Sequence, residues 1–63
     1  MNLLGWLGAG GVTQAEVRAE VWRLGARHRG EPLEGALREL TDQSISPARA
    51  SLLRACVQQL RRA

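Results

Sequence analysis

Lysine, tyrosine and phenylalanine are absent from this sequence, and cysteine and histidine occur once each, as Cys56 and His28. One cysteine excludes an internal disulfide, which a small secreted domain would ordinarily need, so a reducing, cytoplasmic setting is expected. One histidine and one cysteine fall well short of the roughly four donors of a zinc site, so neither a metal nor another cofactor is expected. A Cys–His nucleophilic pair would need a third, orienting group and an enclosed cleft, which so short a helical chain can hardly build, and no enzymatic activity is expected. Cys56 reads instead as an inert thiol on an apolar helix face, and His28 as a helix-terminal residue half covered by the core. The lack of Tyr and Phe, together with the lack of any period-two alternation, argues against a sheet. No run approaches the roughly 18 consecutive apolar residues of a membrane-spanning helix. The opening Leu3-Leu4-Gly5-Trp6-Leu7 has no basic residue before it and is too short for a secretory signal, so it reads as part of the mature protein.

What is present is basic, apolar and short. Nine Arg against six acidic residues leave a formal charge of +3. The planar guanidinium suits both carboxylate and phosphate, so an all-Arg basic set is compatible with nucleic acid. Abundant Ala, Gly and Arg are also what a GC-rich bacterial or phage genome produces, and this compositional reading carries the greater weight. At 63 residues the chain is one domain, near the size at which a single apolar core stabilises a fold only with difficulty. Self-association is therefore expected to contribute.

Residues 1–12 form an uncharged apolar arm with Gly at 5, 8, 10 and 11, each glycine costing a helix about 1 kcal/mol relative to Ala. Gly8, Gly10 and Gly11 precede a helix start, as a phosphate loop would, but no strand comes before them and no Gly-Lys-Ser/Thr follows. A hinge is the better reading. The helical domain, residues 13–63, opens at Thr13, which has capping-box spacing to Glu16, while Val12 and Val17 sit where a hydrophobic staple would. The first helix is expected over about 13–29, stopped by Gly30. Pro32 starts a second, about 32–41, with Leu33, Ala36, Leu37 and Leu40 on one face. Ser46 and Pro47 read as N-cap and first residue of a third, about 47–61, whose apolar face is Leu53, Cys56, Val57 and Leu60. The expected fold is thus all-α, a compact three-helix unit carrying the apolar arm.

The first helix has one apolar face too many. Val17, Val21, Leu24 and His28 form one seam, while Ala15, Ala19, Trp22 and Ala26 form another on nearly the opposite side. A three-helix monomer uses only the first. Methyl-sized residues permit close helix approach, and Trp is the residue type most enriched at binding hot spots. The second seam, with Trp6 from the arm, is therefore the expected interface to a protein partner or a second copy, although the arm folding back over it would account for the same residues. Arg23 and Arg27 share a side with Glu16 and Glu20, which reads as a solvated charged face containing a Glu20–Arg23 pair.

The segment from Glu39 through Thr41-Asp42-Gln43-Ser44-Ile45-Ser46-Pro47 to Arg49 resembles the turn of a helix-turn-helix, in which Ile-Ser-Pro often opens the recognition helix. The likeness covers about twenty residues, with Leu40, Ser44 and Ala50 departing from the pattern. It implies Arg49 and Ser51 at base edges and Arg54, Arg61 and Arg62 on phosphates. The primary expectation remains a small intracellular protein–protein interaction module, an adaptor, inhibitor or assembly factor, that self-associates. A DNA-binding regulator is the alternative. Attachment to a membrane surface through Leu3, Leu4, Trp6 and Leu7 is disfavoured because no basic residue stands beside them.

Overall fold

The computed structural model describes residues 12–62, and in them the chain forms three helices, α1 (Gln14–Arg27), α2 (Pro32–Leu40) and α3 (Pro47–Arg62), with no strand among the described residues. Each helix packs on both others. The compact all-α three-helix unit expected from the pattern is what forms. The N-terminal arm, including Trp6, lies outside the described residues.

The caps explain the boundaries. Thr13 is extended (φ −96°, ψ 160°), and its hydroxyl accepts the Glu16 amide at 3.1 Å, satisfying one orphan N–H of α1. Val12, just outside the helix, packs against the core as the hydrophobic staple requires. At the other end α1 stops two residues before the expected Arg29. His28 is the C-cap, Arg29 takes a left-handed φ of 58° and Gly30 follows at 81°. The Gly30 amide reaches back to the Gly25 carbonyl at 2.6 Å, the six-to-one bond of a Schellman turn. An arginine thus occupies the left-handed position in which glycine is usual, and Gly30 comes one residue later. Pro32 begins α2 and needs no amide partner there. In the turn that follows, one Asp42 carboxylate oxygen accepts both the amide (2.9 Å) and the hydroxyl (2.7 Å) of Ser44. Ser46 then caps α3 by accepting the Arg49 amide at 3.1 Å.

The core is small. Val17 and Leu24 from α1, Ala36 from α2, and Leu53 and Cys56 from α3 are buried, with Val12, Val21, Leu40, Ile45, Leu52, Ala55 and Val57 packed around them. Cys56 has an apolar setting, its Sγ 3.8 Å from the Val17 carbonyl oxygen. Two expectations need correction. Leu37, on the apolar face of α2 with Ala36, is 41% exposed where that face would be expected to pack. Glu20, assigned to a solvated face, is 1% exposed and among the most buried side chains described. On the wheel position 20 lies about 40° beyond Leu24, at the edge of the inward face, and its burial is tolerable because the cations Arg23 and Arg49 stand beside it.

Close approach of α1 and α2 depends on Gly35. A Cβ at this position would collide with the His28 ring. Gly35→Ala, which in an exposed helix would stabilise by about 1 kcal/mol, is therefore expected to lower stability here by displacing His28. Thermal denaturation of the two chains checks this, and a higher midpoint for the variant would contradict it.

Candidate interaction surface

At about 100° per residue, α1 sends Val17, Glu20, Val21, Leu24 and His28 toward its neighbours and leaves Ala15, Ala19, Trp22 and Ala26 on the far side. All four of these are exposed, and Trp22 is 76% exposed. The structure thus brings the α1 residues of the expected interface together on one outward strip, about 16 Å from Ala15 to Ala26 at 1.5 Å per residue. Among the described residues, Trp22 and Leu37 are the large exposed apolar side chains. Leu37 lies on a separate surface, a groove of about 770 Å³ in which Pro32, Leu33, Leu37 and Leu60 form the apolar walls and Glu31, Glu34 and Arg38 supply charge.

Beneath α1 lies a charged cluster that composition alone did not reveal. Arg49 of α3 places Nη2 2.7 Å from Glu20 Oε2 of α1 and 2.9 Å from Glu39 Oε1 of α2. The approach to Glu20 Oε2 is an ion pair directed off the hydrogen-bonding angle, whereas the contact with Glu39 is a full hydrogen bond. Glu20 also receives Arg23 Nη1 at 2.8 Å. Glu39 receives Arg27 Nη1 at 2.7 Å and has His28 Nε2 at 3.0 Å. Burial pushes the Glu20 carboxyl upward, but Arg49 and Arg23 outweigh it, leaving the group below its ordinary value. Hydrogen bonds from His28 and Arg49, helped by the charge of Arg27, bring Glu39 down to about 2. The two carboxylates hold the Arg49 guanidinium protonated more firmly still.

This geometry bears on the residues expected at nucleic acid. Arg49 is enclosed by two carboxylates, so reading a base edge would require it to abandon both. Ser51 is half-buried, while Arg54, Arg61 and Arg62 are exposed. Arg54 and Arg61, seven residues apart, share a stripe of α3, and Arg49 lies about 140° around the helix from Arg54. The structure therefore separates the expected base-reading arginine from the expected phosphate contacts. No group of three or more His, Cys, Asp or Glu side chains is arranged around a metal position among the described residues. None of their helices is long and apolar enough to cross a membrane. Compared with protein-family models, curated proteins and solved structures, the chain matches none.

The cluster makes stability depend on acid in a defined direction. Both carboxyls have folded values below the unfolded value of about 4.3, so their contribution is present above that value and is lost as pH falls through the folded ones. The melting temperature should change little from about pH 7 to 5 and then fall steadily toward about pH 2. A profile unchanged down to pH 2 would show that the pairs contribute nothing. Removing the central cation tests the same cluster by another route. Arg49→Met leaves Glu20 buried without its α3 partner and should cost about 3 kcal/mol, where an exposed arginine such as Arg54→Met should cost about 0.5 or less. Chemical denaturation of the two variants decides it.

Proposed function

We propose that this protein is a small protein–protein interaction module that self-associates through the outer face of α1. The observation that carries the reading is Trp22, 76% exposed on a strip whose other members are Ala15, Ala19 and Ala26. A Trp can bury roughly 150–250 Å² on contact, and flanking alanines let a second helix approach closely enough to use it. Soluble monomers limit contiguous apolar surface of this kind, whereas binding surfaces present it. Trp6 belongs to the same reading as a contribution from the arm.

The module is non-enzymatic and cytoplasmic in this reading. Support comes from how the two singular reactive side chains are placed. Cys56 is buried and burial pushes its thiol above the ordinary value, the opposite of nucleophile activation. His28 is held by Glu39 at the other end of α1, about 16 Å along the helix from Val17, the residue that Cys56 touches. DNA binding, the alternative, retains exposed Arg54, Arg61 and Arg62 but has Arg49 sequestered.

The test is solution mass at several concentrations, for the parent and for Ala19→Glu, with and without duplex DNA. The parent should show a concentration-dependent oligomer. A buried, unpaired carboxylate in the contact should weaken association by several kcal/mol, whereas on a solvated face the same change should cost about 0.5 kcal/mol or less. A monomeric parent, or an oligomer indifferent to Ala19→Glu, would remove the reading. A complex with DNA whose affinity falls steeply with salt would replace it with the alternative.

A further inference from the structure

The two large apolar side chains left exposed among the described residues differ in shape. Trp22 stands between the methyl-sized Ala19 and Ala26, so its indole projects from α1 as a knob. Leu37 instead borders the groove of about 770 Å³ that Pro32, Leu33 and Leu37 of α2 form with Leu60 of α3. A groove of that size lies in the range that holds small ligands, and an indole fits within it.

The charges around the two features are opposite as well. Arg18 is exposed one turn before Trp22 and only about 40° from it around α1, whereas Glu16 and Glu20 are about 120° and 160° away. The groove carries the exposed carboxylates Glu31 and Glu34 against the single cation Arg38. Among the described residues neither Arg18 nor these two carboxylates enters an ion pair, whereas Arg49 is matched inside the chain. Their charge faces outward.

Knob and groove lie on opposite sides of the molecule. Glu39 of α2 meets Arg27 and His28 of α1, and Gln59 of α3 accepts a hydrogen bond from Gln14 of α1. Leu37 is about 160° around α2 from Glu39, so the groove opens on the side turned away from α1. Trp22, about 140° around α1 from the buried Val17, faces the other way. A chain cannot seat its own Trp22, and two copies meeting along one side each cannot seat both indoles at once.

From this placement we propose that Trp22 of one copy seats in the groove beside Leu37 of the next, with Arg18 toward Glu31 and Glu34 of that copy. The proposal rests on self-association through the outer face of α1 and names the surface that receives it. The receiving copy's α2 is the helix that Ala19 and Ala26 allow to approach. A head-to-tail contact of this kind leaves one knob and one groove open on every assembly until a ring closes, so growth continues past the dimer.

Complementation between two defective chains tests it by solution mass. The parent should pass beyond a dimer as its concentration rises. Trp22→Ala, without the knob, and Leu37→Arg, with the groove filled by a cation that repels Arg18, should each remain monomeric. Mixed in equal amounts they should form a one-to-one dimer that grows no further, because one intact knob meets one intact groove. Circular dichroism checks that Leu37→Arg keeps its helices. Glu34→Arg, a charge reversal at an exposed position of the same groove, is a second groove variant and should weaken assembly roughly tenfold. A parent that stops at a dimer, a Leu37→Arg chain that assembles like the parent, or a mixture that stays monomeric overturns the proposal while leaving self-association through α1 in place. A monomeric parent, or a Trp22→Ala chain that assembles as the parent does, removes that reading and the proposal together.

Discussion

One guanidinium holds three helices in register. Arg49 extends from α3 to Glu20 on α1 and Glu39 on α2, and Arg23, Arg27 and His28 close around the same two carboxylates. A planar fork meets carboxylates from different elements only when those elements lie at set heights and rotations. Sliding α1 by one turn would carry Glu20 about 5 Å away and leave a buried charge unmatched. The cluster therefore restrains the register of the helices, which an apolar core of five buried residues would define only loosely.

The same arrangement accounts for how the outside of the molecule looks. Turning Glu20 inward rotates the opposite side of α1 outward, so Ala15, Ala19, Trp22 and Ala26 are exposed. A third face toward solvent is ordinary for a helix in a three-helix unit, but it is usually polar. Here the polar residues of α1 lie on its flanks, where Arg23 and Arg27 serve the cluster. Of the charge expected on a solvated face, Glu16, Arg23 and Arg27 stay exposed and Glu20 alone is drawn inside, while apolar side chains occupy the far side of the helix.

Much of the architecture was legible in local chemistry. Thr13, Pro32, Ser46 and Pro47 mark helix starts because capping and a missing amide act within a few residues. The two seams of α1 follow from periodicity, and so does the inward set of Leu53 and Cys56 on α3. The end of α1 was less legible, since Gly30 pointed to a stop but not to Arg29 taking the left-handed position before it. Spacing places Leu37 on the apolar face of α2, yet nothing in the spacing says how far α3 extends over that face. Glu20 and Arg49 were the least legible, because each looks like a surface residue until the other is placed beside it.

By itself the sequence determined that this chain is all-helical, where its helices start, and that α1 carries a Trp and three alanines opposite its core seam. Those properties depend on interactions spanning about one helical turn, which the order of residues already specifies. Only the tertiary structure decided that Glu20 is buried, that Arg49 is bound between two carboxylates, and that a groove opens beside Leu37. Each of these joins residues of different helices, and charge burial depends on whether a partner arrives from elsewhere in the fold.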